Sequence, residues 1–308
     1  MSERISFHDQ ISRNKRKSFI LMFGILIVFI ALGYAISFAM GPDYFFIIMI
    51  VAIIFSISYI LVGFYKSDKI ALKSVNAKPA PHIKYPTYNN VVEGLCLASG
   101  LPKPKLYVME DPQINAFASG RDPEHAVICV TTGTLDKLDK HELEGVIGHE
   151  LSHIANYDIR FMTLTAVLVG MIAIISQIFL RSLFWRSIGG GGRSRDNKGQ
   201  AIFMIIGIAM AILAPIVVQL VQLSISRKRE FTADASAVKF IRSPTGLINA
   251  LKKIDAEHPD PRQQQEQEKK INKAVAPLFI SNPFKTKMQG LTSTHPSLKK
   301  RIATLEKM

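Results

Sequence analysis

The 308 residues hold only two cysteines and one tryptophan, and four long stretches carry no charge at all. Cys96 (EGLCLAS) and Cys129 (AVICVTT) stand among apolar neighbours, which excludes a disulfide framework and a cysteine metal site and leaves two buried thiols. The uncharged stretches are 18–40, 44–64, 161–180 and 201–223, each long enough to span a bilayer. A cytosolic core helix shows polar periodicity, and these runs do not. A transporter would need charged residues inside its membrane runs, and none is present. No internal repeat is found.

What is abundant is basic charge. The formal net charge is +14, from 38 Lys and Arg against 24 Asp and Glu, and 48% of the chain is hydrophobic. That balance suits a membrane protein whose soluble part rests on an anionic lipid leaflet. Nucleic acid is not expected as a partner, because many of the basic residues cluster beside the apolar runs. Arg4, Arg13, Lys15, Arg16 and Lys17 precede the first run, and Lys66, Lys69, Lys73 and Lys78 follow the second, while the turn Gly41-Pro42-Asp43 has no basic residue. Positive-inside asymmetry then places both flanks in the cytoplasm, around a hairpin anchor rather than a cleaved signal peptide.

The expected organisation is a basic tail (1–17), a transmembrane hairpin (18–64), a first soluble part (65–160), a second hydrophobic hairpin (161–223) and a second soluble part (224–308). The second hairpin must cross twice or dip in together, and spanning is the expectation. Arg181, Arg186, Arg193, Arg195 and Lys198 in its connecting loop argue the other way. Pro215, Gln177, Gln219 and Gln222 point to helices that face protein more than lipid. In the soluble parts, KLYVMED and HAVICVTTG read as strands, with NAFASG between them as an edge strand or an ordinary hairpin. Residues 70–102 read as helical at both ends, with a break where Pro79, Pro81 and Pro86 fall. Ser243-Pro244 and Thr294-His295-Pro296 announce helices, and 255–274 reads as a polar linker.

The chemistry is concentrated in HELEGVIGHELSHIANYD, residues 141–158, where His-Glu-Leu occurs twice. Four residues beyond His141 stands Gly145; four beyond His149 stands His153. Residues i and i+4 share a helix face, so only His149 and His153 can present two imidazoles to one metal ion. This is the HExxH pattern, in which Glu150 serves as general base on the attacking water. The first copy reads as surface polarity. Gly145 and Gly148 weaken a helix and so require a packing reason, such as a crowded metal site.

A catalytic zinc needs a third protein ligand. The extension HExxHxxGxxH is excluded by Asn156 and Ile159, and no glutamate occurs between Ile154 and Arg229. The first available is Glu230, with Asp234 one helical turn on, placed to hold a ligating imidazole through its other ring nitrogen. Only seven residues separate His153 from Phe161, so the metal is expected near the bilayer surface.

SFHDQ, NAFASG, GHELSHIANYD, SRKREFTADASA and THPSLKKRI, in this order around four apolar runs, resemble the HtpX family of bacterial membrane zinc metalloproteases. A more distant similarity is to the CAAX prenyl proteases. The fold then expected is a mainly α membrane protein with four transmembrane helices and an α+β zincin-like (gluzincin) domain with a small β-sheet. The resemblance implies one Zn2+ per chain held by His149, His153 and Glu230, with Glu150 as base. It implies endoproteolysis of misfolded or surplus membrane proteins at the cytoplasmic face of the bacterial inner membrane, and it assigns Asn115 and Ala116 to a substrate-binding strand edge. His295 and Arg227 are the candidates for stabilising the oxyanion, His295 preferred. A regulatory membrane partner would suit such an enzyme. Prenyl-peptide processing is the alternative within the enzyme class, and a zinc-stapled adaptor the alternative outside it. The adaptor would normally take four protein ligands and have no need of Glu150.

Overall fold

In the computed structural model the described residues are 7–40, 42–168, 172, 227–257, 278–281 and 296–308. Two long helices come first, α1 (Phe7–Met40) and α2 (Phe45–Ser74), joined by a 3-10 turn at Pro42–Tyr44. Their apolar spans run over Ile11–Tyr34 and Pro42–Ser74. Each helix overshoots its uncharged run, because lysines and small residues on the flanks are helix formers too. Phe19, Phe23, Phe46 and Ile47 are 62%, 63%, 76% and 64% exposed, an outward apolar surface that suits lipid rather than water. The inward face packs Leu21, Ile25, Phe29 and Tyr59 against Phe161, Leu164 and Leu168. The start of the third apolar run therefore lies against the first hairpin, and the Tyr59 hydroxyl donates to the Leu168 carbonyl at 2.6 Å. Apart from Ile172, the remainder of that run, the whole of 201–223, and the 181–200 loop lie outside the described residues.

The soluble part is built from β1 (Lys78–Pro79), α3 (Pro86–Ser99), β2 (Lys105–Met109), β3 (Ala116–Gly120), β4 (Ala126–Thr131), α4 (Thr132–Lys137) and α5 (Lys140–Ala155). After the described helical run 158–168 come α6 (Arg227–Ile241), α7 (Thr245–Ala256) and α8 (Leu298–Leu305). The strands form one sheet in the order β1-β2-β4-β3, with β2 parallel and β3 antiparallel to β4. NAFASG is thus both the edge strand and the first arm of a hairpin, turned by a 3-10 segment at Pro123–His125. Thr131 N–H donates to the Asn115 carbonyl, so Phe117 and Ser119 face β4 while Ala116, Ala118 and Gly120 turn their backbone to the outer edge. The break after α2 falls where the prolines predict it, with Pro86 opening α3.

Helix α5 is the hub. It begins with a capping box: Asp139 accepts from Glu142 N–H at 2.9 Å, and Glu142 accepts from Asp139 N–H at 2.8 Å. This corrects the assignment of the first His-Glu-Leu to surface polarity. His141 is exposed, but Glu142 is buried and also binds Lys253 at 2.6 Å. The two glycines serve helix contact rather than the metal. A Cβ on Gly145 would stand 2.6 Å from Leu247 Cα on α7, and one on Gly148 would meet Ile241 and Ala237 of α6. Close approach at Gly148 is what brings Glu230 of α6 over the histidine face of α5. Leu143, Val146, Ile147, Leu151 and Ile154 fill the core between the sheet and α3, α6 and α7.

Candidate metal centre

His149 and His153 lie on the buried face of α5 at 0% and 5% exposure, and Glu230 on α6 is 3% exposed. One ligand atom from each falls within 4.8 Å of the others. The two Nε2 atoms are 3.3 Å apart, and Glu230 stands 3.6 Å from the first and 3.7 Å from the second. Two nitrogens bound about 2.0–2.1 Å from one tetrahedral ion are separated by roughly 3.3–3.4 Å, so the donors fit a zinc-sized cation.

The opposite ring atoms show why both Nε2 lone pairs face inward. His149 Nδ1 meets Asp234 Oδ1 at 2.9 Å, and His153 Nδ1 meets Asp158 Oδ2 at 3.1 Å. Each carboxylate accepts the Nδ1 proton, which in a neutral imidazole leaves Nε2 bare. Two bare lone pairs at 3.3 Å repel unless a cation or a proton lies between them. The electrostatics agree. Burial and the Arg301 charge both act to lower the His149 pKa, but hydrogen bonds to Asp234 and Glu230 and the Asp234 charge prevail and hold it up at about 9. Burial acts to raise the Asp234 pKa, yet the Arg301 charge and the bond from His149 pull it down to about 2.

Sequence alone leaves open which histidine Asp234 orients; it is His149. It assigns no partner to His153, which Asp158 supplies. The chain reaches that position through Tyr157, whose φ of 57° is left-handed. This αL step ends α5 at Asn156 and turns Asp158 back toward the ring. Arg301 is the other missed residue. It is 0% exposed and donates to Asp234 through Nε at 2.9 Å and Nη2 at 2.6 Å. Its Nη1 lies 3.5 Å from Glu230. The 3.2 Å separation of Nη2 from His149 Nδ1 is a proximity of two donors that share Asp234 Oδ1, not a bond between them.

Glu150 is 1% exposed, and its carboxyl lies beside the Ala118 backbone N–H on the outer edge of β3. Burial raises its pKa from the ordinary carboxylate value, against the opposing charges of His149 and His153. Asn115 and Ala116 are buried at the head of the same edge, where they hold another piece of the chain. Asn115 Nδ2 donates to the Ser281 carbonyl at 2.9 Å, and Ile280 N–H donates to the Ala116 carbonyl at 2.9 Å. Phe279 packs edge-on against Phe117 at 5.0 Å. Arg227 opens α6, but its side chain is not among the described groups, and His295 lies outside the described residues.

A buried His–His–Glu donor set beside a carboxyl of raised pKa, on a chain with two membrane-length helices, defines a membrane metalloprotease. Comparison with known proteins narrows the class. The model of peptidase family M48 matches residues 84–308. A protease HtpX homolog of Caldanaerobacter subterraneus subsp. tengcongensis is 42% identical over 310 residues, covering 100% of this chain and 99% of its own. One from Dictyoglomus thermophilum is 41% identical over 98% of this chain and 95% of its own, and one from Listeria monocytogenes serotype 4a is 40% identical over 97% and 99%. The chain belongs to peptidase family M48. The crystal structure of S. mikatae Ste24p is similar at 18% identity and a TM-score of 0.47, over 96% of this chain and 66% of that one.

Proposed function

We propose that the protein is a zinc-dependent integral-membrane endopeptidase that cuts misfolded or surplus membrane proteins at the cytoplasmic face. The observation that carries the reading is the convergence of His149, His153 and Glu230 within 4.8 Å beside the buried Glu150. Zn2+, held by those three residues, would supply Lewis acidity toward the scissile carbonyl and acidify the attacking water. Glu150 takes the proton from that water and passes it to the leaving amine; burial raises its pKa, which favours holding the proton between the two steps. Asp234 and Asp158 hold the two imidazoles in register through their Nδ1 protons.

An extended substrate would meet the outer edge of β3 at Ala118, opposite Glu150, beyond the head of the strand, where Asn115 and Ala116 are already bound to Ser281 and Ile280 and act by holding that edge in place. The oxyanion falls to His295 or Arg227. The two apolar helices and the basic residues at their ends support a bacterial inner-membrane location on an anionic leaflet, with the centre on the cytoplasmic side. Four spans, a regulatory membrane partner and the gluzincin fold remain part of this proposal.

The test is cleavage of an unstructured, membrane-anchored reporter by detergent-purified protein, stripped of metal and reloaded with zinc. Zinc should restore cleavage in the wild type, while Glu150→Gln binds zinc and does not cut. Zinc binding without cleavage in the wild type would favour the adaptor, and a single defined product from a prenylated peptide would favour the processing protease.

A further inference from the structure

The cytoplasmic end of α1 reaches the metal centre through one side chain. Asn14 is 6% exposed although it sits four residues before a lipid-facing apolar run. Its Nδ2 donates to Asp158 Oδ1 at 2.7 Å and to the Asn156 carbonyl at 3.0 Å, across 144 and 142 residues of sequence. The other oxygen of Asp158 is the one that holds His153 Nδ1, at 3.1 Å. Asn14, Asp158 and His153 thus form a continuous line of hydrogen bonds from a membrane helix to a metal-facing imidazole.

The arrangement does more than fill space. A carboxylate rotates about its last bond unless both oxygens are held, and the Asp158 carboxyl must keep Oδ2 on the ring. The alternative partner is close by: Arg229 Nε stands 4.0 Å from Oδ1, too far for a hydrogen bond but well placed to draw the carboxyl away. A neutral donor at position 14 occupies Oδ1 first. It also satisfies the carbonyl of Asn156, which caps the end of α5 where the chain turns at Tyr157. The same stretch of α1 seats Lys15 over the Tyr157 ring at 4.3 Å. Groups that orient a ligating histidine typically change metal affinity about 10–100-fold when removed.

We propose that Asn14 is a positioning residue that, through Asp158, sets the orientation of His153 and so makes tight metal binding depend on docking of the membrane helix α1. The inference rests on His149, His153 and Glu230 holding the metal. Full-length protein in detergent is stripped and titrated with Zn2+ against a chromophoric chelator, and the thermal midpoint of each stripped variant is recorded beside it. Asn14→Ala and the isosteric Asn14→Asp should each weaken zinc binding by about 10-fold or more, Asn14→Ala with little change in that midpoint and Asn14→Asp with a lower one, since it sets two carboxylates together. Asp158→Asn should weaken it similarly, and adding Asn14→Ala to Asp158→Asn should weaken it no further. Lys15→Ala, which removes only the contact with the Tyr157 ring and leaves Asn14 bonded to Asp158, should bind zinc as the wild type does.

Unchanged affinity in both Asn14 variants overturns the proposal. So does an additive loss in the double variant, or a loss in Lys15→Ala equal to that in Asn14→Ala. A wild type that binds no zinc, or a His153→Ala variant that binds it as well as the wild type, overturns the metal centre itself. Those results are separable from a failure at Asn14 alone.

Discussion

Arg301 and Asp234 stand 67 residues apart in the chain and meet behind His149 in a two-bond ion pair, at 2.9 and 2.6 Å. Neither group reaches water, so each replaces much of the other's lost solvation, with His149 Nδ1 on Asp234 and Glu230 beside Arg301 adding to it. Truncating one partner of such a pair costs about 3–5 kcal/mol, because the survivor is left buried and charged. Arg301→Ala should lower the thermal midpoint sharply and reduce zinc retention. Arg301→Lys should recover little, since an ammonium cannot bind both carboxylate oxygens as the fork does. A lysine variant as stable as the wild type would show that charge alone suffices.

The same cluster sets a pH window for chelator-treated protein. Asp234 is held down at about 2 against an unfolded value near 3.9, so its contribution is present above about pH 4 and is lost as pH falls toward 2. His149 is held up at about 9 against about 6.5 unfolded, so its contribution is full below about pH 6.5 and is lost as pH rises through 9. The thermal midpoint should therefore peak between about pH 4 and 6.5 and decline on both sides. Zinc requires the neutral imidazole, so its affinity should rise over the interval in which the stripped protein weakens. A midpoint that stays flat from pH 6 to 9.5 would contradict the assignment.

Two glycines should respond oppositely to alanine. Gly145 meets the backbone of α7, with a Cβ only 2.6 Å from Leu247 Cα, and Gly145→Ala should cost about 1–3 kcal/mol through displaced helices. Gly94, inside α3, has nothing within 4 Å of its Cβ position, and Gly94→Ala should stabilise by about 0.5–1 kcal/mol. Chemical denaturation of the two variants measures both signs in one assay.

The cysteines should be inert in the native protein. Burial pushes the Cys96 thiol up to about 11 and raises Cys129 well beyond the ordinary thiol range. Alkylation at pH 8 should be slow until detergent unfolding exposes both, after which both should label at the rate of a free thiol. Rapid labelling of either in the native state would contradict its burial.

The candidate donor set was legible because its geometry is local or forced. His149 and His153 are one helical turn apart, and Glu230 is the first glutamate available after a long stretch without one. Asp139-x-x-Glu142 is equally legible as a capping box, although Glu142 also belongs to the first His-Glu-Leu. Asp158 was harder to place, since its contact with His153 depends on a left-handed φ at a tyrosine, which residue type does not announce. Arg301 and Asn14 could not be assigned from pattern at all. Each acts across more than 60 residues, in contacts created only when helices distant in sequence pack together. The sheet order β1-β2-β4-β3 is hidden for a similar reason: the strand periodicity marks β2 and β4 but not that they run side by side and parallel.

The guanidinium behind His149 comes from a helix 152 residues downstream of it. At a translation rate of about 5–20 residues per second, a ribosome delivers that arginine roughly 8–30 s after the histidine. During that interval the nascent chain carries the metal-facing helix without the clamp that holds Asp234 in place. The contacts behind His149 are therefore completed only late in synthesis, when the last helix packs onto α6.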